Sequence, residues 1–349
     1  MSTCLVLVVA VLLGYRIWLG RSRALDGDYE PTHYVQTADG ARLALYRRAN
    51  PGRDAILMVH GLGANHFNFD FPHAGSPAAL YHDASYDVWT LDLRGHGHSS
   101  HGGGGWYNWG FDDFVSRDLP TVLDFLARET NGAAIHWLGH SMGGMLLYAL
   151  PPEYAAKIKS AVALGSPISF YPSSRLERWA YRNGTLLMKL RIFPIQMFLR
   201  WLNPLLPWGP AKAIASQMCP ENVDWQTISR AAYHSTSNVS MKLMMDFARW
   251  VATDLWDSAS GQVDYRARLA AVQAPLLIVA GSEDRLCPAK DIRRAFELAG
   301  SVDKDFLVAG PEPGFQCDYG HIDLVFGRHA GQETIERAIA WTDRFVASG

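Results

Sequence analysis

Six short apolar runs recur along this chain, at 55–59, 86–91, 134–138, 160–164, 276–280 and 306–308, and each is continuous rather than alternating. An alternating run has one wet face, whereas an unbroken run of strand length needs cover on both faces, as parallel sheets provide. Between several of them lie stretches of helical period, at 112–128, 142–149, 289–298 and 334–346. Strand alternating with helix predicts an α/β domain built on a doubly wound, mostly parallel sheet. Ahead of the first run, two alternating segments between residues 35 and 48 flank Ala38-Asp39-Gly40. The glycine supplies the positive φ of a tight turn, so an antiparallel hairpin is expected to open the domain. Pro120 lies inside the first helical stretch and is expected to start or kink its helix.

The alternation stops after Ser166-Pro167 and resumes near Pro275, leaving a long stretch that reads as helices and loops. The expected layout is therefore an N-terminal apolar segment over 1–24, a core from 25–167 and 259–349, and a helical cap over 168–258. That cap holds six of the twelve tryptophans (Trp179, Trp201, Trp208, Trp225, Trp250 and Trp256) and six of the ten methionines. Such residues suit an adaptable apolar pocket, and equally the ordinary packing of cap on core.

A chain of 349 residues, 48% hydrophobic and 19% charged, has ample material for a large core, which excludes a disordered or fibrous protein. Its net charge of -2 gives no basic field, so nucleic acid is not expected as a partner. Cys4, Cys219, Cys287 and Cys317 lie far apart with no C-x-x-C spacing, and they read as isolated reduced thiols. The N-terminus is a different matter. Residues 4–15 are apolar without interruption, and only Arg16 separates them from Ile17, Trp18 and Leu19. No basic residue precedes the run and no small-x-small cleavage site ends it, so an uncleaved single-pass membrane anchor is expected. Arg16, Arg21 and Arg23 all follow the apolar run, which by the positive-inside rule puts the body of the protein in the cytoplasm.

Gly139-His140-Ser141-Met142-Gly143 carries the pattern of a nucleophile elbow, a sharp strand-to-helix turn that holds a serine exposed at the top of a sheet. The pattern is common by chance, but here it follows the apolar run 134–138 and precedes the helical stretch from Met142, as the elbow requires. A serine hydroxyl needs a base to take its proton. Of thirteen histidines, His321 follows the last strand and precedes the last helix, in the expected chain order of serine, acid, histidine. The acid should end the preceding strand, where 276–281 runs into Ser282-Glu283-Asp284. Asp284 and Glu283 both stand there; Asp303 and Asp305 precede a strand instead, and Asp323 reads as a loop-organising acid. Donors for the developing oxyanion are expected from the amide of Met142 and, in the His60-Gly61-Leu62-Gly63 turn after residues 55–59, from Leu62. His60 is expected to brace that turn. There is no H-E-x-x-H, no Walker loop and no complete dinucleotide fingerprint, and His96-Gly97-His98 with His101 lacks a partnering carboxylate. No cofactor and no metal are expected.

Together, His60-Gly61, the segment Asp92-Leu93-Arg94-Gly95-His96-Gly97-His98-Ser99, the elbow, Gly281-Ser282-Glu283-Asp284 and Gly320-His321 resemble the α/β-hydrolase superfamily over residues 35–345, the cap excepted. The resemblance implies Asp284 as the acid beside His321. Tyr86-Asp87-Val88-Trp89, Phe111-Asp112-Asp113, Asp118-Leu119-Pro120 and His321-Ile322-Asp323 look like the acid-lipase branch, which implies a carboxylesterase or lipase acting on a hydrophobic or lipid ester. The chain is less similar to polyhydroxyalkanoate synthases, which use cysteine where Ser141 stands. Acid lipases carry a larger cap and usually Gln at the place of Met142. An acyltransferase or peptidase would use the same triad, and a membrane-tethered binding protein with an inactive hydrolase fold is the alternative outside catalysis.

Overall fold

The computed structural model describes residues 3–25, 29–73, 75–103, 105–170, 188–203, 217–312 and 314–346. Its centre is an eight-stranded sheet in the order β1-β2-β4-β3-β5-β6-β9-β10. The strands are β1 His33–Gln36, β2 Arg42–Arg48, β3 Ala55–Val59, β4 Asp87–Asp92, β5 Ile135–His140, β6 Ile158–Leu164, β9 Leu276–Gly281 and β10 Lys304–Ala309, while β7 Ile192–Phe193 and β8 Val239–Ser240 pair separately. β1 and β2 form the expected hairpin, with Gly40 at φ +83°, and β2 runs antiparallel to β4. From β4 to β10 every pairing is parallel.

Continuous apolarity has the expected cause. In β3, Ala55, Leu57 and Val59 enter one hydrophobic cluster while Ile56 and Met58 enter the other, and β9 divides in the same way, Leu276, Ile278 and Ala280 against Leu277 and Val279. Both faces are covered, so both sets of alternating side chains must be apolar.

Pro120 stands at the start of its α-helix, as expected. A π turn over Phe114–Asp118 leads without a break into the helix Leu119–Glu129, with Pro120 in its first turn. Asp118, the last residue of that π turn, faces Arg94 in the interior. Arg94 Nε and Nη2 donate to Asp118 Oδ1 at 2.9 and 2.6 Å, and Nη1 donates to Asp39 Oδ2 at 2.7 Å. Thus the hairpin turn, the β4 loop and the π turn share one buried ion network, and two of the family-like motifs serve architecture.

The stretch between β6 and β9 holds, among the described residues, the α-helices Ile195–Trp201, Trp225–His234, Met241–Thr253 and Tyr265–Ala271 and the β7/β8 pair. Trp250 and Trp256 are fully buried and pack edge-on against Phe111, with Tyr265 beside them. Those two rings serve packing, and Trp201 lies over the N-terminal helix; Trp179 and Trp208 fall outside the described residues.

The N-terminal helix spans Thr3–Ser22. The expected single-pass anchor finds no support here: among the described residues no helix is long and apolar enough to cross a membrane. The end of this helix is instead engaged with protein. Leu19 is buried, the Tyr15 ring stacks on Trp201 at 5.7 Å, and the Tyr15 hydroxyl donates to Trp201 O. Apolarity that reads as lipid-facing in sequence is partly spent on the inserted segment.

Stripping one partner from a buried ion pair leaves an uncompensated charge, at a cost of about 3–5 kcal/mol. Asp118→Ala is therefore expected to lower the unfolding free energy by about that amount, measured as a fall in the urea midpoint at unchanged m-value. A loss under about 1 kcal/mol would mean that Asp39 alone satisfies Arg94.

Candidate active site

The site is built at the C-terminal ends of the parallel strands, where β3, β5, β6 and β9 each end in a loop. Ser141 stands between β5 and the helix Met142–Tyr148 at φ +55°, ψ -120°, a conformation that an L-residue holds only when its surroundings impose it. They do so at short range. A Cβ on Gly143 would lie 1.8 Å from Val59 O, and one on Gly139 would lie 2.5 Å from the Gly143 and Gly144 backbone. Only glycine lets this helix approach β3 and turn back on β5 so tightly. The Ser141 amide is fixed by donating to Leu164 O at 2.8 Å.

His321 comes from the loop after β10, and Asp284 from the loop after β9. His321 Nδ1 donates to Asp284 Oδ2 at 2.7 Å, and both side chains are almost fully buried. The other carboxylate oxygen, Oδ1, accepts the amides of Leu286 and Cys287 at 2.9 and 2.7 Å. Gly281 allows the two loops to meet, since a Cβ there would lie 2.5 Å from Tyr319 O and Gly320 O. Burial opposes a charge on His321, but the Asp284 carboxylate, with a smaller contribution from Cys287, outweighs it and holds the imidazole well above its ordinary value.

The rival acids are elsewhere. Glu283 is exposed, Asp303 pairs with Arg344, and Asp305 is exposed and bonds to the following amide. Asp323 organises the histidine loop, accepting the amides of Gly320 and Cys219 and the Asn222 side chain. Among the described residues no hydrogen bond joins the Ser141 hydroxyl to His321, whose Nδ1 is bonded to Asp284.

The turn after β3 borders the serine: a Cβ on Gly61 would lie 3.1 Å from Ser141 Cβ. His60 braces this turn as expected, accepting the Leu93 amide at Nε2 and donating from Nδ1 to Gly61 O. Burial lowers the pKa of His60 and of His140 to about 3, so both stay neutral. Leu62 is half-buried in the same turn, and Met142 opens the elbow helix, where a first-turn amide has no intrahelical acceptor.

Two contacts bring the inserted segment to both sides of this centre. Ser237 N donates to Gly63 O at 2.7 Å, with Val239 and Ile195 against Gly63; on the other side, Gln217 O accepts the amides of His321 and Ile322 at 2.7 and 2.9 Å. One further group had no sequence signal at all. Cys287 is buried against the Asp284–His321 pair, and a solitary cysteine carries no spacing that would reveal it.

A histidine raised by a buried carboxylate loses that support when the carboxylate is neutralised. Asp284→Asn is expected to drop the His321 pKa below the ordinary histidine value, because burial alone remains, and ¹⁵N chemical shifts against pH measure it. In the native protein the raised value means that this pair's contribution to stability is complete below pH about 6.5 and fades as pH rises through the folded value. A titration identical in the two proteins would rule out the ion pair.

Comparison with known proteins places this geometry among relatives. A family model described as "Serine aminopeptidase, S33" matches residues 50–309. Human (Homo sapiens) lipase member N is 24% identical over 93% of this chain and 91% of its own length. Gastric triacylglycerol lipase of Bos taurus is 34% identical over 38% of each chain. Among solved structures, a thermophilic esterase from Thermogutta terrifontis superposes with a TM-score of 0.60 at 16% identity, over 90% of this chain and 98% of that one, which is a likeness of fold. With a match across most of its length, the chain belongs to this S33 family, as an ester-cleaving serine hydrolase of the α/β-hydrolase fold and of its acid-lipase-like branch.

Proposed function

We propose that the chain hydrolyses a carboxylic ester with a hydrophobic acyl or alcohol group through an acyl-enzyme on Ser141. The observations that carry this reading are the buried Asp284–His321 pair at 2.7 Å and, in the elbow after β5, a serine held at positive φ. Ser141 Oγ attacks the carbonyl carbon while His321 Nε2 takes its proton; Asp284 holds Nδ1–H and stabilises the imidazolium that forms. The amides of Met142 and Leu62 receive the oxyanion, each worth roughly two to three powers of ten in rate. His321 then returns the proton to the departing alcohol, and water repeats the sequence to release the acid.

The segment over 168–258 acts as a cap in this reading, because its residues touch the turn after β3 and the His321 loop at once. Lipid-like esters are the favoured substrates. The relatives that span most of the chain are lipases, and Val239 and Ile195 bring aliphatic surface up to the turn beside Ser141. Aminopeptidase activity is the second reading, favoured by the description of the matching family alone.

Ser141→Ala, His321→Ala and Asp284→Ala are each expected to cost several powers of ten in kcat without their losses multiplying, since the three act as one unit. A fluorophosphonate probe should label the wild type and leave Ser141→Ala unlabelled. Full esterase activity in folded Ser141→Ala would sink the assignment, and turnover confined to aminoacyl p-nitroanilides would favour the peptidase.

Each methylene that enters an apolar pocket contributes up to about 0.8 kcal/mol, or about fourfold in kcat/KM. Over p-nitrophenyl esters from acetyl upward, kcat/KM is expected to climb until the pocket is full, and Ile195→Ala should flatten the climb. A steady fall from acetyl onward in the wild type would reject the hydrophobic acyl site.

A further inference from the structure

The pair of Asp284 and His321 is in fact a triplet. One carboxylate oxygen of Asp284, Sγ of Cys287 and one ring nitrogen of His321 all lie within 4.8 Å of one another, and all three residues are buried. The loop's own hydrogen bonding holds the thiol there: the Cys287 amide donates to Asp284 Oδ1, which folds the chain back before Pro288 begins the helix Ala289–Leu298. Ester hydrolysis by serine, histidine and aspartate assigns no step to a thiol. Cys219 and Cys317 are also free, and no disulfide engages any of the three.

Carboxylate, thiolate and imidazole together are a donor set suited to zinc. Metal–ligand lengths of about 2.0–2.3 Å put tetrahedral donors roughly 3.3–3.6 Å apart, so a triangle within 4.8 Å reaches that geometry by small side-chain shifts. We propose that Asp284, Cys287 and His321 form an inhibitory binding site for zinc, which enters between His321 Nδ1 and Asp284 with Cys287 as the third protein ligand. The proton balance explains the inhibition. Ligation at Nδ1 needs the lone pair there: a neutral imidazole shifts its proton to Nε2, whereas an imidazolium gives up its Nδ1 proton to solvent and keeps the one on Nε2. The thiol loses its proton to solvent, so one proton is released per zinc bound by the neutral ring and two by the imidazolium. Nε2 then carries a hydrogen and cannot accept one from Ser141. The site is thus a reversible switch that traps the base in the wrong tautomer, and its inhibitory effect rests on the role of His321 proposed above.

The test uses the full chain, cleared of metal with a chelator, and p-nitrophenyl butyrate as substrate. Zinc is expected to abolish turnover with one ion bound per chain, EDTA to restore it, and magnesium, an oxygen-seeking ion, to do nothing. Cys287→Ser should raise the inhibition constant by about tenfold or more, each protein being scaled to its own zinc-free rate, whereas Cys317→Ser should leave it unchanged. Cobalt(II) supplies a readout independent of activity: a sulfur-to-metal charge-transfer band should appear in the wild type and in Ser141→Ala and be missing in Cys287→Ser. The proposal is overturned if millimolar zinc leaves the wild type active, if Cys287→Ser is inhibited as strongly, or if its cobalt band persists. Should Ser141→Ala remain a full esterase while the cobalt band depends on Cys287, the metal site stands and the serine mechanism falls.

Discussion

The contact on which the site depends is between two pieces of backbone. The elbow helix sits so close to the end of β3 that Gly143 has no room for a single added carbon, and this proximity holds Ser141 at its strained positive φ. Such strain costs on the order of 1–3 kcal/mol and persists only where surrounding structure over-determines it. Here the Ser141 amide is tied to β6, and the Trp137 indole donates to Gly143 O from inside the sheet. The rest of the centre is arranged around that fixed point. The turn at Gly61 abuts the serine, and Gly281 admits the loop that carries His321.

Electrostatically the centre keeps one histidine apart from its neighbours. His60 and His140 are buried with no carboxylate bonded to either ring, and burial keeps both neutral. His321 is equally buried, yet Asp284 lies against it, so the imidazolium is favoured on that ring alone of the three. His140 Nε2 lies 3.1 Å from His321 O and the two rings are 4.9 Å apart, which makes the neutral histidine of the elbow a support for the loop that bears His321.

The strands were legible because burial on both faces leaves an unbroken apolar record, and β3 appears with the bounds that its run suggests. Asp284 was one of two acids at the end of β9; only the family resemblance separated it from Glu283, and the separation is physical, since one is buried and the other exposed. Elsewhere the sequence was ambiguous for definite reasons. A π turn ahead of Pro120 has no pattern of its own, and the partnership of Arg94 with Asp118 joins residues from two elements. Tryptophans look alike whether they line a pocket or fill a core, so Trp250 and Trp256 gave no hint that both are spent on Phe111, and Trp256 on Tyr265 as well. Cys287 acquires meaning only when the fold folds its loop back onto Asp284.

The end of the N-terminal helix and the inserted segment hold each other through several polar contacts: Arg23 Nε donates to Asn203 Oδ1 at 2.7 Å, His234 Nε2 donates to Arg23 O at 2.6 Å, and Tyr15 reaches Trp201. These bonds join residues about 180 to 210 positions apart, so their free energy belongs to neither segment alone. Coupling of this kind is reciprocal. Whatever the helix lends to the ordering of the segment beside Ser141, that segment returns in equal measure to the helix. Anything that stabilises one of them in this arrangement therefore stabilises the other by the same free energy, which links the chain's start to the segment that touches the turn after β3.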